Sequence, residues 1–537
     1  MKKRIIYIFT AFTLLSVGCT KNLSDVNVDP TQASGANFDA NLLLPSLQFN
    51  HAQANAGYNG PVLFQAGWVQ VIASTTTGAA NYYSNADKYV PSGNTNNYAE
   101  RTWYGDYGAA SYAFEIQNLV KDKPELSNLS NVAIIMQMLC LQSITDVYGD
   151  IPFTEALQAK TAGITQPKYD KQTDLYKGML AKLETAIAGL DAAKAKPTND
   201  AFTYKGDIAK WKKFGNSLML KMAMRLVKAD AATAKTYAEK AVAGGVFTSN
   251  DDNALLFCDN ASGFGSNTAQ PFNVPADFYQ VRWSRVFINK LKSTNDPRLS
   301  VVAEVPPPGL AANENLNLVG DNTPANQLGL PNGYDMNGGA TDITTSAGYP
   351  GGTGSGGDLT PIGKYSRPTA IYRNRNNPYF ILTYAEVEFL LAEAAVRGYS
   401  VGGTASSHYQ SGLSAAIQTL SAYGAGATIS AATANTYASA NPLNTSSTAA
   451  SLQQINEQIW LTTGVTMNFS ESWNNWKRSG WPVLTPVNYA GNFSGGVIPR
   501  RQPYPSAEAS LNSANYAIGV SSLSGGDNWV SKVWWDQ

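Results

Sequence analysis

Apolar residues recur at helical spacing in long blocks of this chain, and that periodicity limits its fold more than any other feature. Between 131 and 146, the residues on one side of such a helix are Ile134, Ile135, Met138, Leu141 and Ile144. Comparable blocks cover 171–190, 209–227, 231–242, 379–397, 408–423, 448–461 and 470–477. Because the blocks follow one another in adjacent pairs, they favour antiparallel hairpins of the tetratricopeptide kind. The sequence therefore predicts a mainly α-helical scaffold.

Two long segments lack helical periodicity. Residues 246–378 are rich in Gly, Pro and Asn, and residues 486–537 also show no regular pattern. Loops of this length in a compact protein are usually either functional or disordered. We therefore expect a single domain over 36–537, with a helical scaffold at about 36–245 and 379–480. The loop-rich segments would form its ligand-binding face.

The chain begins with a three-part leader. Three cationic residues at 2–4 precede the short apolar run 5–17, and Gly18 stands directly before Cys19. This form is typical of a secretory signal, here over 1–18, and the apolar run is too short to span a bilayer.

The cysteine that follows the leader resembles the modified residue of a bacterial lipobox. In that interpretation Cys19 becomes the first mature residue and carries lipid on its thiol and its amino group, and two or more acyl chains anchor a protein stably. An ordinary cleaved signal with an accidental cysteine is the alternative. The polar residues 19–35 predict a flexible tether behind the anchor.

Composition narrows the classes of function. Lys+Arg and Asp+Glu both number 39, and this balance argues against nucleic acid as a partner, because binding phosphates needs a basic surface. Charged residues make up only 15% of the chain, which contains 28 Tyr and 11 Trp, and this suits recognition of neutral polar ligands by ring faces. With only two histidines, a His-based metal or catalytic centre is not expected. We expect no cofactor, although the sequence does not reveal whether a calcium ion is bound.

Two enzyme-like patterns lack the context that their chemistry needs. The G-x-S-x-G pattern at 398–402 follows a helix, whereas a nucleophile elbow needs a strand before the serine. The G-x-G-x-x-G pattern at 352–357 has no preceding strand and lies in a low-complexity loop. Neither pattern predicts an enzyme.

Several longer stretches of the sequence are more specific for a protein family than these two short patterns. They are 142–157 (QSITDVYGDIPFTEAL), 204–207 with 210–218, 295–299 (NDPRL), 383–394 (TYAEVEFLLAEA), 471–482, 498–505 and 533–536. Together, and in this order from Cys19 to Gln537, these stretches resemble the SusD/RagB family of surface nutrient-binding lipoproteins.

The resemblance implies a fold and a function. Members of the family are α-helical, with four tetratricopeptide-like hairpins on one side and a loop-rich ligand face on the other. They are lipid-anchored on the exterior of the outer membrane. Each caps a SusC-type TonB-dependent transporter and passes oligosaccharides or peptides to it, without catalysis.

We therefore expect a surface lipoprotein that binds oligosaccharides or polysaccharide fragments. A peptide-binding member, a lipid-anchored glycosidase and a scaffold that binds only protein are the alternatives.

Aromatic residues of the loops are the candidate ligand contacts, because their rings can stack on the C–H faces of sugars. The candidates are Trp68, Tyr82, Tyr83, Trp103, Tyr104, Tyr279 and Trp283, and core packing is the alternative role for each. Arg478, Arg500 and Arg501 are expected to pair with carboxylates. Asp146, Asp150 and Asp207 are expected to cap helices or accept buried hydrogen bonds.

Overall fold

Long helices make up most of the scaffold. The computed structural model describes residues 38–76 and 84–537. Its longer helices are α1 (Leu44–Ala56), α2 (Arg101–Val120), α3 (Ser127–Tyr148), α4 (Gln172–Ala188), α5 (Ile208–Arg225), α6 (Ala231–Gly244), α7 (Arg285–Ser293), α8 (Tyr384–Val396), α9 (Ala405–Gln418), α10 (Ala431–Ala440), α11 (Thr448–Val465), α12 (Phe469–Ser479) and α13 (Ser513–Ser521). Short α-helical turns lie at Gln65–Trp68, Ser84–Asp87, Thr95–Ala99, Ala159–Ala162, Pro275–Gln280, Leu299–Val302, Leu310–Glu314 and Glu508–Leu511.

Several predicted features lie outside the described residues. They are the signal over 1–18, the lipidated Cys19 with its tether over 19–35, and the candidate ligand residues Tyr82 and Tyr83. Residues 41–537 form one compact unit, and the contacts described below lie within it.

The strands are short and occur in antiparallel pairs. They are β1 (Ile72–Ser74), β2 (Ile151–Pro152), β3 (Tyr169–Asp170), β4 (Ala254–Phe257), β5 (Val281–Trp283), β6 (Ala303–Glu304), β7 (Arg367–Pro368) and β8 (Pro378–Leu382). The pairs are β1 with β5, β2 with β3, β4 with β8, and β6 with β7. In the first of these, Ile72 pairs with Trp283 and Ser74 with Val281. Apart from β2–β3, these ladders join segments that are far apart in the chain.

Helices that follow one another in the chain pack as hairpins. Helix α1 packs on α2, α2 on α3, α5 on α6, and α8 on α9, while α4 contacts both α3 and α5. Helix α11 bridges α8 and α12. The predicted mainly α-helical, tetratricopeptide-like scaffold is therefore confirmed.

One helix boundary differs from the sequence prediction. The block 379–397 was expected to be helical throughout, but Pro378–Leu382 forms β8, in which Phe380 pairs with Leu255 of β4. Aromatic and β-branched residues favour this extended conformation when a partner strand is present. Helix α8 begins only after Thr383, whose hydroxyl accepts a hydrogen bond from the backbone N–H of Glu386 at 3.2 Å.

The three aspartates have the structural roles expected of them. Asp207 caps α5 by accepting hydrogen bonds from two backbone N–H groups at 2.8 and 3.1 Å. Asp150 accepts a hydrogen bond from the backbone N–H of Gln172 at 2.8 Å. Asp146 is buried, and its Oδ2 lies 3.2 Å from Nε of Arg225. The prediction of capping and buried hydrogen bonding is confirmed.

Five buried charged side chains join four helices. Arg225 of α5 lies between Asp146 of α3 and Glu471 of α12, with its Nη2 at 2.8 Å from Oε2 of Glu471. One turn earlier on α5, Lys221 contacts Glu471 at 2.9 Å and Glu386 of α8 at 3.1 Å. We call these five residues the buried charge network. Since a buried charge is tolerated only when it is paired, the network limits how the four helices can be arranged.

A second buried cluster centres on Arg478 of α12. Its guanidinium contacts the two carboxylate oxygens of Glu393 at 2.7 and 2.8 Å and donates to Asn456 and Asn475 at 2.8 and 2.7 Å. Burial opposes ionisation of Glu393, but the charges of Arg478 and Arg397 and their hydrogen bonds outweigh it and lower the pKa of the Glu393 carboxyl to about 2. Glu393 is therefore ionised at neutral pH.

The other two arginines also pair with carboxylates. Arg500 donates to both oxygens of Asp536, with its Nε at 2.7 Å from Oδ2, and Nη1 of Arg501 lies 2.5 Å from Asp527. The prediction of carboxylate partners is confirmed for all three arginines.

Removal of the buried guanidinium should test the energetic role of these pairs. We expect Arg478→Met to lower the free energy of unfolding by about 3–5 kcal/mol, because it leaves the charge of Glu393 buried without its main partner. Urea unfolding followed by circular dichroism measures the change. The control is Lys240→Met, which removes the solvent-exposed pair between Lys240 and Glu184 and should leave stability within error of the wild type. Equal, small effects of both substitutions would contradict this interpretation.

Candidate functional site

An open cleft of about 480 Å³ lies on the loop-rich side of the molecule. We call it the loop-face cleft. One wall is the turn 331–341, the other is the segment 485–489, and Gln70 and the start of α7 lie between them. Its volume falls within the range of small-molecule sites, about 300–1,000 Å³.

Backbone pairing fixes the first wall. The N–H of Leu330 donates to the carbonyl of Trp283 at 2.9 Å, and the N–H of Arg285 donates to the carbonyl of Leu330 at 2.8 Å. The side chain of Asn332 then bridges two segments, donating to the carbonyl of Ile72 at 2.9 Å and accepting from the hydroxyl of Ser284 at 2.9 Å. The 331–341 turn is therefore tied to the β1–β5 ladder at its base.

A buried carboxylate joins the two walls. Asp335 accepts hydrogen bonds from the hydroxyl of Tyr489 at 2.5 Å, the hydroxyl of Thr341 at 2.7 Å and the N–H of Asn337 at 2.9 Å. Burial opposes ionisation of Asp335, but these hydrogen bonds outweigh it and lower the pKa of its carboxyl. Burial and the bond to Asp335 raise the pKa of Tyr489 to about 12, so its phenol stays neutral at physiological pH.

The walls also approach closely at a glycine. Gly333 has a φ of +87°, and a Cβ there would lie 2.8 Å from Cγ1 of Val487 on the opposite wall. Its N–H donates to Asp87 at 3.2 Å, and Asp87 is itself paired with the buried Lys88 at 2.9 Å. Only a residue without a side chain fits this junction.

Two half-buried tyrosines line the cleft. Tyr334 packs against a buried apolar cluster that includes Tyr279, Leu330 and Tyr365, while Tyr489 is held through its hydroxyl by Asp335. Among the described lining residues, Arg285 is the one with a charged side chain. The cleft thus combines ring faces with amide, hydroxyl and guanidinium groups, a set suited to a polar ligand of low charge.

The structure places the three predicted tryptophans in the interior. Trp68 is 0% exposed and packs against Trp473, with ring centroids 5.2 Å apart. Trp283 is 0% exposed and stacks on Phe287 at 5.1 Å. Trp103 is 4% exposed. These rings are enclosed by protein side chains, so the structure gives them the packing role that the sequence left open.

The two described tyrosines among the candidates lie in different places. Tyr279 is 9% exposed and lies in the apolar cluster beneath Tyr334, where its hydroxyl accepts from Thr360 at 3.2 Å. Tyr104 is 50% exposed and lines a separate groove between α1 and α2, of about 460 Å³. The structure therefore does not bring the described candidates together in one site.

Sequence reasoning missed the residues that line the loop-face cleft. Tyr334, Tyr489 and Asn488 lie in loops that were expected to carry the ligand face, but no local pattern distinguishes them from other Tyr and Asn residues. Arg285 begins a helix two residues after a predicted candidate, Trp283. The contact between the two loops that places Tyr334 and Tyr489 in the cleft has no local signature in the sequence.

One group of described residues has the atoms of a metal site. Single ligand atoms of His51, Asp106 and Cys140 lie within 4.8 Å of one another, and all three residues are buried. His51 Nδ1 is 2.8 Å from Asp106, and Asn55 donates to the same carboxylate at 2.7 Å. Burial raises the pKa of the Cys140 thiol well above its usual value, whereas a metal ligand must be a thiolate. Hydrogen bonding within the core accounts for this cluster.

No helix among the described residues is long and apolar enough to cross a membrane.

Solved structures share this fold. The chain is similar to a chitin-binding protein with 29% identity and a TM-score of 0.76, covering 93% of this chain and 100% of that one. It is also similar to a SusD-like protein from Bacteroidetes AC2a, with 24% identity, a TM-score of 0.76 and coverage of 93% and 100%. A chitin-binding SusD homologue from Flavobacterium johnsoniae has 23% identity, a TM-score of 0.69 and coverage of 93% and 98%.

None of the curated proteins compared with this chain matches it. A family model does match, over residues 32–505, and it describes starch-binding proteins that associate with the outer membrane. That match confirms the resemblance noted in the sequence, and the chain belongs to the SusD-like family.

Proposed function

We propose that this protein is a surface-exposed, lipid-anchored receptor that binds oligosaccharides or polysaccharide fragments in the loop-face cleft. It passes them to a SusC-type TonB-dependent transporter of the outer membrane. The observation that carries the proposal is the cleft itself, in which two tyrosine rings are held in place beside amide and hydroxyl groups and one guanidinium.

The groups that line the loop-face cleft can bind a sugar ring on its faces and at its edge. A pyranose ring presents C–H groups on its faces and hydroxyls around its edge, so Tyr334 and Tyr489 can cover the faces while polar groups such as Asn488 meet the hydroxyls. The hydrogen bonds of Asp335 hold the cleft walls before a ligand arrives. Such preorganisation lowers the entropic cost of binding.

We propose oligomers of N-acetylglucosamine as the first ligand to test. The supporting observation is the 29% identity to a chitin-binding protein over nearly the whole chain. The description of the family as starch-binding makes maltohexaose the comparison ligand. The peptide-binding alternative rests on Arg285, which can pair with a carboxylate, and a peptide panel tests it.

The lining of the cleft favours binding over hydrolysis. A glycosidase needs two carboxyl groups that flank the scissile bond. Among the described residues that line the loop-face cleft there is no Asp or Glu, and the adjacent Asp335 is buried and hydrogen-bonded. We therefore propose that the protein is a receptor rather than an enzyme.

Removal of the Tyr334 ring should weaken glycan binding. We expect Tyr334→Ala to raise the Kd for chitohexaose about 5–30-fold, or about 1–2 kcal/mol, because roughly 40–80 Å² of ring surface no longer covers the sugar at ~25 cal/mol per Å². Isothermal titration calorimetry measures Kd, and circular dichroism verifies the fold.

The matched control is Tyr237→Ala, which removes a half-buried tyrosine from α6, outside both the cleft and the groove, and should not change Kd. An unchanged Kd for the folded Tyr334→Ala protein would show that the glycan binds elsewhere. Binding of peptides and of no glycan would support the alternative ligand class.

The lipid anchor has its own test. We expect Cys19→Ser, expressed in a Gram-negative host, to release the protein from the outer-membrane fraction, because the acyl chains that hold it are no longer attached. Immunoblots of membrane and soluble fractions measure the distribution, and Cys258→Ser serves as the control. Proteinase K digestion of intact cells tests exposure at the exterior. Retention of Cys19→Ser in the membrane fraction would contradict the proposed anchor.

A further inference from the structure

The groove between α1 and α2 has the composition of a second ligand site. We call it the helix groove, and it is lined chiefly by Asn50 and Gln53 of α1, Tyr104 and Gly108 of α2, and Asn267. It shares no described lining residue with the loop-face cleft. Its volume of about 460 Å³ is similar to that of the loop-face cleft.

Small residues create the groove. Helices α1 and α2 touch where Ala54 faces Gly105, since a Cβ on Gly105 would lie 2.6 Å from the Cβ of Ala54. One turn beyond Tyr104, at Gly108, the surface of α2 is open, and a Cβ there would meet no described atom within 4 Å. The groove is therefore open beside the exposed tyrosine.

Packing against neighbouring atoms does not explain why residue 108 is a glycine. The residue is exposed and lies inside α2, where glycine costs about 0.5–1 kcal/mol relative to alanine. Neither a positive φ nor a close neighbour among the described atoms requires a glycine at this position. Its effect on the surface is to leave the space beside Tyr104 empty.

Tyr104 provides a platform for a ligand. Its side chain is 50% exposed, and Gly108 lies on the same helix face four residues later. Burial of its hydroxyl and the negative charges of Glu100 and Glu508 raise its pKa, so the phenol remains neutral. The ring thus offers an apolar face with a neutral hydroxyl at its edge.

The opposite wall of the groove is made of carboxamides. Asn50 and Gln53 project from α1, and the side chain of Asn267 donates to Oε1 of Gln53. Carboxamides both donate and accept hydrogen bonds, as sugar hydroxyls do. The charged lining residues are Glu100, which accepts hydrogen bonds from Ser506 at 2.9 and 3.0 Å, and Arg101.

We propose that the helix groove is a second glycan-binding site, which takes a short segment of a neutral saccharide against the face of Tyr104. The inference rests on the proposed glycan-binding function. Two separate sites on one receptor increase its avidity for a long polysaccharide without increasing its affinity for a short one. A neutral saccharide fits this groove because its lining places an exposed aromatic ring beside carboxamide groups.

Filling the groove tests the proposal. Gly108→Phe places a ring in the open space, and Tyr104→Ala removes the platform, whereas Tyr237→Ala, which removes a tyrosine of α6 outside both sites, is the matched control. With chitotriose in isothermal titration calorimetry, we expect two molecules to bind per chain in the wild type and in Tyr237→Ala. We expect one to bind in Gly108→Phe and in Tyr104→Ala. Circular dichroism verifies that each variant is folded.

Tyr334→Ala distinguishes this proposal from the proposed function. If it raises Kd about 5–30-fold while Gly108→Phe and Tyr104→Ala keep the wild-type stoichiometry and affinity, the helix groove is not a glycan site and the proposed function stands. If Gly108→Phe removes all binding while Tyr334→Ala has no effect, the helix groove is the glycan site and the loop-face cleft is not. Failure of the wild type to bind chitotriose and maltohexaose overturns both proposals.

Discussion

The buried charge network is the interaction on which the rest of this structure depends. Arg225 and Lys221 present two cationic groups on one helix, and Asp146, Glu386 and Glu471 bring carboxyl groups from three others. Because each of the three carboxyl groups lies within 3.2 Å of Arg225 or Lys221, the pairs can form together only when the four helices are correctly arranged. Packing of apolar surfaces alone would tolerate small slips between helices.

The network also connects the scaffold to the ligand face. Glu471 belongs to α12, and Arg478 at the other end of the same helix is fixed by Glu393 of α8. The chain that leaves α12 continues to the segment 485–489, which forms one wall of the loop-face cleft. The other wall is tied to the β1–β5 ladder, and Asp335 joins the two. The cleft is therefore built from long loops, yet each wall has buried attachments, which is the arrangement that a preorganised binding site needs.

Much of the scaffold could be predicted from the sequence, because helices such as α3 and α5 carry their apolar stripe in their own residues. The carboxylate partners of Arg478, Arg500 and Arg501 were also predicted correctly, since a guanidinium group forms bidentate hydrogen bonds with a carboxylate. Residues 379–382 were wrongly predicted as helix, because the partner that makes them a strand lies over a hundred residues earlier, in β4. The sequence of α2 shows no clear helical periodicity, because Gly105 and Gly108 interrupt the spacing of its apolar residues.

The proposed ligand site was less predictable than the scaffold, because residue type does not fix exposure. Trp68 and Trp283 have the rings that a sugar site would use, but tertiary packing encloses them. Tyr334 and Tyr489 line the cleft because Gly333 and Asp335 bring two distant loops together, and that contact has no local signature.

The most direct test of the account is a crystal structure of the mature protein with bound chitohexaose. The account predicts sugar rings in the loop-face cleft, with their C–H faces against Tyr334 and Tyr489 and their hydroxyls near Asn488 and Arg285. Crystals in which that cleft is open to solvent and the sugar is ordered only elsewhere on the protein would contradict the central claim.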